Sequence, residues 1–156
     1  NIVSVPEYST TKNEVVGVDG RITSVSSKPK AHGQVRIGAS KHMAGMALEI
    51  SRKNPGYRGA LNLRFSDDTL KICEEMGLLI SSYDRRKEPD EVKRTEGMST
   101  IWGVQQALMQ TGGRIPDVIY HLGDLGKEAM ITLYGKNARE VAKRAVAIAE
   151  RAKKGR

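Results

Sequence analysis

Short apolar runs alternate with longer stretches of helical spacing along this chain, which predicts strands and helices in turn. The opening residues alternate apolar and polar. Val15-Val16 and Ile22 to Val25 then flank Asp19-Gly20, a turn signal, and this predicts a hairpin. Gly33 to Ile37 forms a third extended piece leading into a helix, where Met43, Met46, Ala47 and Ile50 share one face and Asn54-Pro55-Gly56 is the stop. Ala60 to Phe65 is a strand, followed by a helix capped near Ser66-Asp67-Asp68, with Leu70, Cys73 and Met76 inward and Gly77 at its close.

Leu78 to Tyr83 is a further strand. A helix over Ser99 to Gln110 turns Ile101, Val104 and Leu108 inward and ends at Gly112-Gly113. Val118 to Leu122 and Met130 to Tyr134 are strands around a polar turn. The last helix opens on Asn137 with Glu140 three residues on, a variant of the capping box, and buries Val141, Ala145, Ile148 and Ala152. Strands alternating with helices imply a layered α/β domain with helices on both sheet faces, and the early hairpin makes the sheet mixed. No Gly-x-Gly-x-x-Gly follows the first strand, which argues against nicotinamide chemistry.

A length of 156 residues suits one domain, here 1–156, with a real core. That core must rest on aliphatic side chains and Met, because there is one Trp and one Phe. No run is long enough to span a bilayer and no signal-peptide pattern opens the chain, so a soluble, cytoplasmic protein is expected. Its start at Asn1 without Met suggests a piece cut from a longer protein or a tag-cleaved product. Cys73, the single cysteine, reads as buried filler. The net charge of +8 invites a nucleic-acid reading, yet from Lys136 onward eight Lys or Arg face two Glu, which leaves only +2 to residues 1–135. Most of the excess therefore belongs to one terminal helix, without the aromatic interleaving of an RNA-binding surface, so no direct nucleic-acid contact is expected.

Candidate chemistry gathers where apolar strands end. Arg36 to Met43 runs a strand into Gly38, Ala39, Ser40, Lys41 and His42, and free N–H groups at a helix start beside a Lys and a Ser make an anion site. Arg64, with Phe65 and Ser66 beside it, interrupts an apolar strand; it is either salt-bridged structure or an anion clamp. Tyr83-Asp84-Arg85-Arg86 holds phosphate through its Arg pair or is an exposed turn. His121-Leu122-Gly123-Asp124-Leu125-Gly126-Lys127-Glu128 leaves a strand with two Gly and a full set of proton donors and acceptors. His32, His42 and His121 lack metal spacing, so an expected metal is Mg²⁺ brought with a phosphate, with Asp84 or Asp124 as its carboxylate.

Taken in order, Gly20-Arg21-Ile22, Gly38 to His42, Asn62 to Ser66, Tyr83 to Pro89, Trp102-Gly103 and Pro116 to Glu128 resemble the archaeal-type thiamine-phosphate synthase domain. This is the domain often fused behind a phosphomethylpyrimidine kinase. The resemblance covers nearly the whole chain. It implies condensation of hydroxymethylpyrimidine diphosphate with hydroxyethylthiazole phosphate to give thiamine phosphate and pyrophosphate. It also implies a three-layer α/β/α sandwich like the class II aldolase/epimerase group, and assembly as homo-oligomers. The family's important Arg and His fall on Arg21 and His42, which leaves the strand-end residues named above to bind substrate. Similar domains stand behind a helix-turn-helix in thiamine regulators, so the alternative is a domain that senses thiamine phosphate without making it. The presence of Arg21 and His42 favours the enzyme.

Overall fold

The computed structural model describes residues 1–155. The strands are β1 (Ile2–Ser4), β2 (Val16–Val18), β3 (Ile22–Val25), β4 (Lys28–Ala31), β5 (Val35–Ile37), β6 (Gly59–Arg64), β7 (Ile80–Ser82), β8 (Val118–His121) and β9 (Met130–Gly135). The helices are α1 (Lys41–Lys53), α2 (Asp67–Glu75), α3 (Asp90–Arg94), α4 (Met98–Gln110) and α5 (Ala138–Lys154). Seven strands form one sheet in the order β5-β2-β1-β6-β9-β8-β7. Neighbours are antiparallel except β7 and β8, which are parallel, so the sheet is mixed. The connection between those two strands carries α3 and α4, as a parallel pair requires a long crossover.

Side chains alternate across the sheet and build two apolar cores. Val3, Ala60, Ile119 and Tyr134 pack with Met43, Met46, Ala47 and Ile50 of α1 and Val104 and Leu108 of α4. Ile2, Leu61, Val118 and Leu133 pack with Cys73 of α2 and Val141 and Ile148 of α5. Three layers result, and because both sheet faces are covered, the central strands are apolar on both sides. Met76 and Ala145 pack half-buried against the second core, whereas Leu70, Ile101 and Ala152, expected to face inward, are half-buried outside both cores. No helix of the described residues is long and apolar enough to cross a membrane.

Local chemistry explains the helix ends. The Ser66 hydroxyl accepts the Thr69 N–H at 3.1 Å and starts α2. Asn137 Oδ1 accepts the Glu140 N–H at 2.9 Å, while Glu140 Oε2 accepts the Lys136 N–H at 2.6 Å, one residue ahead of the usual capping-box partner.

The expected hairpin across Asp19-Gly20 does not form. Both edges of β2 are taken, by β1 and by β5, so the chain leaves the sheet at Asp19. It then makes a separate two-stranded ribbon of β3 and β4, and returns. The turn at the tip of this ribbon holds Ser26 and Ser27 with φ of 50° and 63°, a left-handed pair whose usual sequence is Asn-Gly, which hides it from a sequence reading. The neck is closed at Gly33, where an added Cβ would lie 2.3 Å from the Asp19 carbonyl oxygen. Asp19 also pairs with Arg36 at 3.1 Å and donates its N–H to the Gln34 carbonyl at 2.9 Å. The strand expected over Leu78 to Tyr83 is confined to Ile80–Ser82, and Leu122 lies beyond β8, exposed.

Replacing Ser66 by Ala removes the α2 cap and is expected to lower unfolding free energy by about 1 kcal/mol, read by chemical denaturation.

Candidate functional site

Strand register assembles the floor of the site. Arg64 pairs with Met130 across β6 and β9, and Met130 with His121 across β9 and β8, so the three share a row at one end of the face that α1 and α4 cover. Asn62 and Thr132 follow in the next row, and Asn62 Nδ2 reaches Met130 Sδ at 3.4 Å.

The start of α1 stands beside this end. Ser40 precedes the helix in the left-handed conformation, φ 58°, without capping it, and its hydroxyl is hydrogen-bonded by Asn1 Nδ2. Among the described residues the N–H groups of Ala39, Ser40 and Lys41 make no hydrogen bond, so their partial positive charge is free for a guest. Arg21 projects from the base of the ribbon into electrostatic reach of Asn1, whose side chain also bonds the Val18 and Gly20 carbonyls at 3.1 and 3.0 Å. Asn1 thus ties the base of the ribbon, next to Arg21, to the helix start.

Beyond β7 the chain makes a short 3₁₀ turn over Arg85–Lys87, for which Asp84 accepts the Arg86 N–H at 3.0 Å. The turn directs Arg85 inward and Arg86 outward. Buried Arg85 pairs with buried Glu88 at 3.5 Å, and Lys127 Nζ approaches the same carboxylate at 3.8 Å. Ser99 of α4 donates its hydroxyl to the other Glu88 oxygen. Tyr83 lies against His121 with ring centroids 5.1 Å apart and meets Trp102 edge-on at 6.0 Å. Gly103 is required by that packing, since a Cβ there would fall 2.5 Å from the Tyr83 ring.

Two clefts flank the cluster. One, of about 370 Å³, is lined by Lys12, Lys41, His42, Arg52 and Glu96 among others. The second, of about 650 Å³, is lined by Tyr83, Asp84, Arg86, Leu122, Asp124 and Lys127 among others. Arg86 grips Asp84 through two bonds of 2.9 Å, Lys93 stands 4.0 Å from Asp124, and Gly123 turns the loop at φ 83°.

The sequence-level candidates therefore divide. His42, Arg85, His121 and Lys127 are brought into mutual electrostatic reach. Lys41 lines the smaller cleft with His42, Gly38 to Ser40 lead into the same helix start, and Arg64 shares the His121 row, whereas Arg21 stands at the base of the ribbon near Asn1 and lines neither cleft. Ser66 is engaged at the α2 cap, Arg86 is held by Asp84, and Glu128 is exposed with no ion pair among the described residues. Glu88, Ser99 and Tyr83 complete the cluster without having been given a role from the sequence, where Tyr83 and Glu88 stood only as members of the Tyr83 to Pro89 segment. The one available signal was Glu88 three residues after Arg85, the spacing of a helical-turn ion pair.

Burial and cations act together on the two imidazoles. His121 is pushed down to about 4, by burial first, then by the Arg85 cation, His42 and Lys127. His42, although it keeps solvent contact, moves the same way, by desolvation and then by Arg85 and Lys127. Burial lifts the Tyr83 phenol to about 12. The side-chain bond from Arg86 holds Asp84 down at about 2. At neutral pH the cluster therefore contains uncharged imidazoles and phenol with fixed cations around them.

An unfolded His takes up a proton near 6.5, whereas native His121 does so near 4. Between those values the unfolded chain binds the extra proton, so stability falls as pH drops through 6.5 toward 4 and this loss levels off below. The expected loss is on the order of 3 kcal/mol. Urea unfolding at pH 7 and pH 4.5 checks it, with a His121→Gln chain expected to show most of the slope removed.

The chain is 46% identical over 148 residues to the thiamine-phosphate synthase ThiN of Methanothermobacter thermautotrophicus, covering 95% of this chain and 77% of that protein. It is 37% identical over 112 residues to the bifunctional thiamine biosynthesis protein ThiDN of Methanocaldococcus jannaschii, of whose length the match covers 25%. Among solved structures it superposes on the C-terminal domain of a phosphomethylpyrimidine kinase with a TM-score of 0.85 at 41% identity, covering 94% of this chain and 82% of that one. The C-terminal domain of protein MJ0236 gives a TM-score of 0.87 at 29% identity, with 99% and 82% covered. The family model for thiamine-phosphate synthase ThiN matches residues 1–147, and the chain belongs to that family.

Proposed function

We propose that this chain condenses hydroxymethylpyrimidine diphosphate with hydroxyethylthiazole phosphate, releasing pyrophosphate and giving thiamine phosphate. The observation that carries this reading is the convergence of His42, Arg85, His121 and Lys127 beside free N–H groups at the start of α1. Departure of pyrophosphate builds negative charge on the leaving oxygens and positive charge on the pyrimidine methylene. Cations and dipoles fixed at the diphosphate stabilise that separation more than they stabilise the bound substrate, and so lower the barrier. Arg21, Lys41 and the N–H groups of Ala39 and Ser40 are the groups for this task.

His42 rests neutral, as its depressed titration implies. An arriving diphosphate brings negative charge that draws a proton onto the ring, and His42 then gives a hydrogen bond or that proton to the departing oxygens. Arg64, Arg85 or Arg86 holds the thiazole phosphate, and the apolar wall of Leu122 and Leu125 in the larger cleft suits a flat heterocycle. Gly123, Asp124, Lys127 and Glu128 shape the loop around it. Two anions held together in this way react with the advantage of proximity.

Mg²⁺ fits as an ion carried by the diphosphate. Asp84 and Asp124 line one cleft, and no cluster of three metal-ligating side chains occurs among the described residues, so the chain offers one or two carboxylates and no closed cage. Carried in on the diphosphate, the ion would neutralise charge on the leaving group. The same reading extends to a fold of the class II aldolase/epimerase kind, supported by the three layers and mixed sheet, and to a cytoplasmic setting. It also extends to a neighbouring kinase or DNA-binding domain, and to self-association, for which edge strand β5 leaves Val35 and Ile37 each 69% exposed.

Incubation with both substrates and Mg²⁺, followed by chromatography, should yield thiamine phosphate. Arg21→Ala and His42→Ala are each expected to reduce kcat about 10²- to 10³-fold while circular dichroism stays unchanged. Unaltered turnover in either would remove the role assigned to it. Tight binding of thiamine phosphate by the unmodified chain without turnover would favour sensing.

A further inference from the structure

Two hydrogen-bond donors inside the cluster have nothing to donate to. His121 is 3% exposed, and its Nδ1 accepts the Gly123 N–H at 3.1 Å. An Nδ1 that accepts must carry the lone pair, so the proton of the neutral ring sits on Nε2. That Nε2 is buried and unpartnered among the described residues, and so is Nε of Arg85, a residue 6% exposed.

A buried donor left unpaired costs about 1–3 kcal/mol, and folded proteins keep few of them. Here the two belong to one neighbourhood: the His121 ring lies 5.1 Å from that of Tyr83, two residues before Arg85, and Lys127, from the loop that follows His121, shares Glu88 with Arg85, whose cation also acts on the His121 ring. Charge points the same way. One carboxylate, Glu88, serves both Arg85 and Lys127, so the trio carries one uncompensated positive charge. A guest that accepts two hydrogen bonds and brings negative charge satisfies both donors and the charge together.

We propose that Arg85 Nε–H and His121 Nε2–H form a subsite for phosphoryl oxygens, in which His121 is a neutral donor locked in its tautomer by the Gly123 N–H. Glu88 is the positioning residue: it holds Arg85 and Lys127 in place and leaves the Nε–H of Arg85 free. The subsite rests on the synthase reading only for the origin of the phosphoryl group, which is either the diphosphate of the pyrimidine or the monophosphate of the thiazole. His121 does not act as a base in this arrangement, because its one lone pair is occupied.

Titration calorimetry of the full chain with pyrophosphate and, separately, with hydroxyethylthiazole phosphate tests this. His121→Phe keeps the ring packed on Tyr83 and deletes the donor; His121→Gln returns an N–H near the Nε2 position. The Phe variant should bind one of the two anions about tenfold or more weakly, and the Gln variant should recover most of that loss. Which anion is weakened identifies the source. Nitrogen NMR of the unmodified chain should show His121 protonated at Nε2, with that signal moving when the anion binds. A folded Phe variant that binds both anions normally overturns the subsite. So does an Nδ1–H tautomer, or an Nε2 signal indifferent to both anions, which decides the matter even if the variants do not fold. Absence of thiamine phosphate formation by the unmodified chain would remove the synthase reading and leave these binding results standing.

Discussion

The buried Glu88 carboxylate is the constraint on which the rest of the site depends. It is supplied by the turn after β7, is hydrogen-bonded by Ser99 of α4, and is shared by Arg85 and by Lys127 from the loop between β8 and β9. Three segments that are distant in sequence thereby meet at one negative charge. At about 4 Å and an effective dielectric near 20 such attractions are each worth about 4 kcal/mol before desolvation is subtracted. Most of that is consumed by taking the ions out of water, so the arrangement gives placement more than it gives stability. Without the carboxylate, two cations would repel each other beside two imidazoles, and the loops would splay into solvent.

Placement is what a reaction between two anions needs. Because α1 and α4 pack over one sheet face and α2 and α5 over the other, two apolar cores hold the fold while the polar residues collect at one end of a single face. The cations are therefore set before any guest arrives, and their reorganisation does not have to be repeated at each turnover. Their surplus also keeps His121 and His42 uncharged, which leaves His42 able to take up a proton when negative charge arrives.

Much of this was legible in the sequence, for physical reasons that differ by element. The face of α1 at Met43, Met46, Ala47 and Ile50 follows from helical spacing, and the α2 and α5 starts from Ser66 and Asn137, because both signals are local. The β3–β4 ribbon was not legible, since Ser26-Ser27 lacks the Asn-Gly signal of a left-handed turn and both edges of β2 were claimed, by β1 before it and β5 after the ribbon. In the site, residue types at strand ends pointed to His42, Arg85, His121 and Lys127. Their convergence, and the part of Glu88, depend on register and on which way a short 3₁₀ turn aims each side chain, and no local pattern encodes either.

The ribbon carries an energetic implication of its own. Its strands pair only with each other, and apart from half-buried Ile22 they are exposed, so this segment is among the least anchored in the molecule, and Arg21 hangs from its base. Under the proposed reaction, a guest that reaches Arg21 would freeze that arm and lose its entropy, whereas a small ion that stops short would not. A preference for extended guests would then require the Arg21 contact to outweigh that ordering cost.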